Sequence, residues 1–465
     1  MRRPLFLVML LFAPAVWAAD LTLPEYERVE LANGAVLLLS EKHDVPLIGM
    51  RASVRGGSAS DPASQSGLAE LLATVLQKGA GERNAAEFAE AAAGVGGQLS
   101  VSAGVESITV SAEFLSRDAK LMIELVADAL QRPTLSRDEL AKERSRTIDL
   151  IKAAKDSDPS GLMSSYGNAF LFPEHPYGNP TLGSESSLAE IEHDDLLQYY
   201  RDHFGGDRLI VAVVGDFDLA AMKAALTLAF EGWEAATGTL PDVGVAESIQ
   251  GRRVLLVDKP GATQTYFWIG NVGVAVDYAN RAELNLANTV FGGRFTSMLM
   301  TELRVKSGLT YGVRSSLDRR TQPGSVTIRS FTETDKTVEA IDMSLGVLDR
   351  LHVSGLDDEM IASARNYIMG QFPPSLETAS SLAAMLAYLE LYGLDRTYID
   401  DYGVALEGAT PVTVHNAISD VYPHADNVAL ILIGDADRIR ESVAKYGPVT
   451  EMSITEPRFN PDLPK

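Results

Sequence analysis

The chain has 465 residues, 46% of them hydrophobic and 22% charged, the make-up of a folded globular protein with room for roughly two to four domains. A formal net charge of −23 argues against nucleic acid or an anionic membrane surface as a partner. There is no cysteine, so disulfides and a lipid-bearing cysteine are both excluded, and core packing must supply the stability.

In chain order, Arg2 and Arg3 precede an apolar stretch, Leu5 to Phe12, that is too short to span a bilayer. Val16-Trp17-Ala18 follows with small residues at its ends. Residues 1–19 therefore read as a signal peptide cut after Ala18 or Ala19, and a bacterial periplasmic location fits best. No later apolar run reaches membrane-spanning length.

Asn33-Gly34, between apolar runs in VELANGAVLLLS (29–40), predicts a hairpin, and Ile48 to Val54 a further strand. Helical periodicity runs through Ala85–Ala93, Ala119–Gln131 and Arg137–Ala154. Leu209 to Gly215 (LIVAVVG) reads as a buried strand, followed by a helix over Leu219–Phe230. The polar joint LPDVGVAESIQ (240–250) then separates a half at 20–240 from a half at 251–465, with 241–250 as linker.

The second half repeats the order. Strands are predicted at Arg253–Val257 and Thr265–Asn271, and helices at Ala282–Phe291, Lys336–Leu351 and Asp357–Gln371. A closing strand follows at Val428–Gly434, with a helix at Ala436–Tyr446. Strands at both ends of each half with helices between them predict an α+β fold, and the similar closings suggest an internal duplication.

Gly67 to Ala80 reads GLAELLATVLQKGA. It resembles the metal-binding helix of the M16 family (insulinase, pitrilysin and mitochondrial processing peptidase), which runs roughly GLAHFLEHMLFKGT. That helix carries the inverted zincin signature H-x-x-E-H, whose two imidazoles share one face and whose Glu polarises the attacking water. At those three positions this chain has Glu70, Ala73 and Thr74. The family's distal Glu ligand falls on Leu150, although Glu143, which opens that segment, is kept. Both metal segments have lost their ligands together, so the resemblance implies no zinc and no catalytic residue in this chain. Glu70 and Glu143 alone are too few for a substitute site.

Leu171 to Gly183 (LFPEHPYGNPTLG) and Arg201 to Asp216 also match the family in order and spacing. The resemblance then implies two M16-type domains (LuxS/MPP-like metallohydrolase) forming half of a clamshell.

One motif remains intact. Phe291 to Val313 (FGGRFTSMLMTELRVKSGLTYGV) resembles the family stretch whose Arg and Tyr bond the backbone of a peptide substrate, and the matching positions are Arg304 and Tyr311. Read from the residues, Met298 to Lys306 is a helix, Ser307-Gly308 its stop, and Leu309 to Ser315 a strand. Spacing alone favours a helix-capping Arg and a packing Tyr; the motif points instead to a substrate-facing pair of donors. Gly292-Gly293 reads as a turn or as a substrate-contacting loop. The seven histidines are scattered, with no two at i, i+4 on an obvious helix, and His193 with Asp194 and Asp195 reads as a solvated helix start.

The reading that follows is a catalytically inactive subunit of a heterodimeric periplasmic peptidase. Its expected partner is a homologous M16 chain with intact H-x-x-E-H and its own zinc, and its expected substrate a peptide or unfolded protein. The alternative is a non-proteolytic scaffold or peptide-binding subunit of an envelope complex.

Overall fold

The computed structural model describes residues 22–461, and the signal-peptide expectation for residues 1–19 lies outside them. The first six-stranded sheet contains β1 (Glu27–Glu30), β2 (Val36–Glu41), β3 (Leu47–Arg55), β4 (Gln98–Ala103), β5 (Ser107–Leu115) and β6 (Leu209–Gly215). Its spatial order is β1-β2-β6-β3-β5-β4. The second contains β7 (Arg253–Asp258), β8 (Gln264–Val272), β9 (Val313–Leu317), β10 (Ser325–Glu333), β11 (Ala429–Gly434) and β12 (Val449–Ser453). Its order is β9-β10-β8-β11-β7-β12.

The two sheets share a plan. The closing strand, β6 or β11, inserts into its sheet parallel to β2 or β7 and antiparallel to β3 or β8. Only the outer edge differs: β1 runs antiparallel to β2, whereas β12 runs parallel to β7. With helices packed on the sheets, the fold is α+β, as the sequence predicts. The Asn33-Gly34 turn joins β1 to β2, with Gly34 at φ 90°.

Each sheet buries both faces, and each does so with a helix from the other half. Leu37, Leu39, Met50 and Val213 belong to the core that the first half builds with its own helices. The opposite face (Val36, Leu38, Ile210, Ala212 and Val214) packs on Leu382, Ala383, Leu386 and Ala387. Those residues lie on a helix of the second half, Ala379–Leu391. Reciprocally, Met163, Tyr166 and Phe170 of Met163–Leu171 join the core that contains Leu255, Val257, Trp268, Ile431 and Ile433 of the second sheet. This explains why β6 and β11 read as unbroken apolar runs: neither face meets water.

Both crossings depend on a glycine at the contact. A Cβ on Gly49 would lie 2.6 Å from the Ser380 backbone nitrogen, and one on Gly167 would lie 2.8 Å from the Trp268 ring. Arg55 donates to the Leu391 and Glu390 carbonyls at 2.6 and 2.8 Å, closing the C-terminal end of the crossing helix.

The joint between the halves carries no helix or strand from residue 231 to 252. It is less polar in effect than its composition suggests, because Ile249 is buried. The Asn271 side chain clamps its backbone, accepting the Ile249 N–H at 2.9 Å and donating to the Ile249 carbonyl at 3.0 Å. The segment Leu171 to Gly183 acts here as well. His175 Nε2 donates to the Gly244 carbonyl at 2.7 Å. The Tyr177 hydroxyl donates to Glu106 at 2.6 Å and accepts the Gln322 N–H of the other half at 3.0 Å.

Candidate functional site

Helix α1 (Leu68–Val75) begins where Asp61 accepts the Gly67 and Ala69 amides at 2.8 and 2.9 Å, satisfying its first free donors. Burial pushes the Asp61 carboxyl up to about 8, against the opposing pull of these bonds. Six of the eight helix residues are buried, so α1 is a packing element first.

The side chains at the former ligand positions are committed elsewhere. The Glu70 carboxylate accepts the Ala103 N–H at 3.0 Å, and Gln77, just past α1, donates to the Val101 carbonyl at 3.1 Å. Val101 and Ala103 lie on β4, an edge strand with backbone groups that no neighbouring strand pairs. Burial raises the Glu70 pKa. Ala73 is buried and Thr74 half-buried, while Leu150 on helix α2 (Arg137–Asp156) is 55% exposed. Glu143 is buried and ion-paired with Lys78 at 2.8 Å, tying α1 to α2. Zinc, which the family implies for this helix, does not fit these donors: one carboxylate already bonded, a methyl, a hydroxyl and an isobutyl group. Among the described residues, no group of three or more His, Cys, Asp or Glu could hold a metal ion.

The second motif shows the opposite pattern. Arg304 Cζ lies 4.2 Å from the centre of the Tyr311 ring and 5.0 Å from that of Phe295. The guanidinium has no hydrogen bond or ion pair among the described residues, and Tyr311 is 75% exposed. The supporting framework is ordered. Glu302 is held by Lys306 at 3.0 Å and Arg350 at 3.2 Å, with its pKa lowered by the Lys306 bond first. The Thr332 hydroxyl donates to the Leu309 carbonyl at 2.7 Å, and Ser330 donates to the Thr310 hydroxyl at 3.1 Å. The two residues before Tyr311 are thereby held to β10.

Local structure departs from the sequence expectation here. Only Met298–Met300 is α-helical, and Thr301–Lys306 widens into a π-type turn that Gly308, at φ 65°, ends. Tyr311 lies in the loop before β9, not on a strand, because the strand begins at Val313 rather than Leu309. Thr310 withdraws the chain from pairing by bonding its hydroxyl to the Gly312 amide and carbonyl at 3.1 and 3.0 Å. Gly292-Gly293 closes a π-type turn over Thr289–Gly293, and a Cβ on Gly292 would meet Ser315 at 2.5 Å. That is a packing glycine.

Phe295 was not legible as a site residue; the only signal was an aromatic between polar residues, outside any helical or strand period. The histidines are also less scattered than their spacing implies. His352 and His424 stack at 4.4 Å. His193 does open a helix, His193–His203, with Asp194 and Asp195 in its first turn.

Two family models match consecutive parts of the chain. Residues 37–185 match the insulinase (peptidase family M16) model and residues 190–368 the peptidase M16 inactive domain model. The chain belongs to the M16 family. An uncharacterized zinc protease of Mycobacterium tuberculosis is 27% identical over 345 residues, covering 73% of this chain and 78% of that protein. A non-peptidase homolog of Helicobacter pylori is 24% identical over 348 residues, covering 74% and 79%.

Among solved structures, an M16 inactive domain from Pseudomonas fluorescens superposes with TM-score 0.82 at 21% identity, over 88% of this chain and 98% of that one. The periplasmic protease PqqL of Escherichia coli superposes with TM-score 0.74 at 16% identity, over 89% of this chain but 46% of PqqL. This M16 chain keeps the two-domain fold and lacks the family's catalytic motif. No helix of the described residues is long and apolar enough to cross a membrane.

Proposed function

We propose that this chain is the non-catalytic subunit of a periplasmic M16 peptidase, closing the chamber of a homologous subunit that carries H-x-x-E-H and zinc. Arg304 and Tyr311 hold the backbone of a peptide or unfolded protein while the partner supplies the metal-bound water. Hydrolysis needs both an activated water and an aligned carbonyl, and separate chains can provide them.

The observation that carries this reading is an asymmetry. Glu70 is spent on the edge of its own sheet at 3.0 Å, whereas the Arg304 guanidinium, with no hydrogen-bond partner among the described residues, lies beside an exposed Tyr311. The described fold superposes on 46% of PqqL, which supports its pairing with a second M16 unit of similar size. The N-terminal residues 1–19 and the periplasmic location of PqqL support the compartment.

Affinity capture of the tagged mature chain from its native cells tests the pairing. Stoichiometric recovery of an M16 chain with complete zinc ligands is expected. Recovery of the chain alone, or with unrelated envelope proteins, sinks the divided-labour reading in favour of a scaffold.

A further inference from the structure

Two aromatic side chains flank Arg304 yet face water: Phe295 is 62% exposed and Tyr311 75%. Exposed apolar groups gathered at one place mark an interaction surface more often than an accident of packing. Phe295 is also held in place. The Ser297 N–H bonds the Arg294 carbonyl at 3.1 Å, Ser297 Oγ accepts the Met300 amide at 3.3 Å, and Arg294 donates to Ser363 at 3.0 Å. These bonds hold the backbone on either side of Phe295, so covering its ring orders a side chain of two torsions and little else.

The guanidinium lies over both rings, its Cζ 5.0 Å from the centre of Phe295 and 4.2 Å from that of Tyr311. Its N–H groups lie in the guanidinium plane and point outward from the edge, where a peptide carbonyl can accept them. A carbonyl bound there brings the substrate side chain next to it within reach of the Phe295 ring.

We propose that Phe295 gives this site its side-chain preference, selecting extended peptide segments with an aromatic or long aliphatic residue beside the carbonyl that Arg304 holds. The inference rests on the reading that Arg304 and Tyr311 contact substrate backbone.

The test uses the mature chain and two labelled short peptides of Gly, Ser and Ala, identical except for a central Phe or Ser, followed by fluorescence anisotropy. Wild type is expected to bind the Phe peptide about tenfold more tightly. Phe295→Ala should collapse that ratio to about one, and Phe295→Leu should keep part of it. Arg304→Ala should weaken both peptides by a similar factor and leave the ratio in place. A ratio that survives Phe295→Ala, or a wild type that binds both peptides equally, overturns the assignment of Phe295 while leaving backbone contact standing. A wild type that binds neither peptide overturns both.

Discussion

The Glu70 carboxylate lies 3.0 Å from the Ala103 amide, across the gap between α1 and the open edge of the first sheet. A position that in active relatives serves a metal here closes a strand edge. Replacing Glu70 with Ala removes the acceptor and leaves that amide to solvent. Stability should fall by about 1–2 kcal/mol, read as a lower midpoint in urea. An unchanged midpoint would show that water substitutes fully for the carboxylate.

Because no donor set for zinc remains on α1 and α2, metal should not stabilise the fold. Anything that binds the native state raises the melting temperature by mass action. Calorimetry of the mature chain with added zinc, and again with a chelator, should therefore give the same Tm. A rise with zinc would reveal a site outside the former motif.

Arg304 should be intolerant of a charge-conserving change. Lysine keeps the positive charge but lacks the planar, forked guanidinium whose Cζ lies 4.2 Å from the centre of the Tyr311 ring. In the reconstituted pair, Arg304→Ala should lower kcat/KM roughly tenfold to a hundredfold, and Arg304→Lys nearly as much. Neither should change the amount of partner retained. Full activity in Arg304→Lys would reduce the residue to a point charge.

Gly167 and Gly49 should both resist Ala substitution. A Cβ on Gly167 meets the Trp268 ring at 2.8 Å, and one on Gly49 meets the Ser380 backbone at 2.6 Å. Neither neighbour can yield without shifting a helix, so each variant should lose about 1–3 kcal/mol. Denaturant titration followed by tryptophan fluorescence, from Trp233 and Trp268, reads the change. The loss should exceed that for Ala at Gly244, where a Cβ meets nothing within 4 Å.

His203 sets a pH response. Burial, then the neighbouring Arg208 cation, lowers its pKa to about 4, and Arg208 donates to His203 Nδ1 at 3.0 Å. The folded ring stays neutral while the unfolded ring, with an ordinary pKa of about 6.5, gains a proton first. Stability present above pH 6.5 should therefore drain away as pH falls toward 4. Allowing for solvent screening of a partly buried ring, His203 contributes on the order of 1–2 kcal/mol of this. Thermal unfolding of wild type and His203→Gln at both pH values should show a smaller acid loss in the variant.

The sequence displayed the elements whose signals are local. Leu209–Gly215 and Val428–Gly434 announced the central strands through unbroken apolar runs, and Asn33-Gly34 marked the hairpin turn. The loss of zinc ligands could be read by position. Ser107–Leu115 (SITVSAEFL) carries a strict polar/apolar alternation and was legible as a half-buried strand, though left unread. In Ser325–Glu333, by contrast, Ser330 and Thr332 take the places where the apolar alternation would continue, and strand pairing supplies what propensity lacks. The crossing of Ala379–Leu391 onto the first sheet was illegible, since an apolar helix does not say which sheet it will cover. The position of Tyr311 was missed because Thr310 turns the chain with side-chain bonds that a strand pattern cannot reveal.

The exchange of helices also has a bearing on synthesis. When a nascent chain has emerged as far as residue 250, the whole first sheet is present, yet Val36, Leu38, Ile210 and Val214 still await the helix at 379–391. That oily face stays open while more than a hundred further residues are made. The first half is consequently a poor candidate for independent expression, and the growing polypeptide needs shelter from self-association until its C-terminal portion arrives.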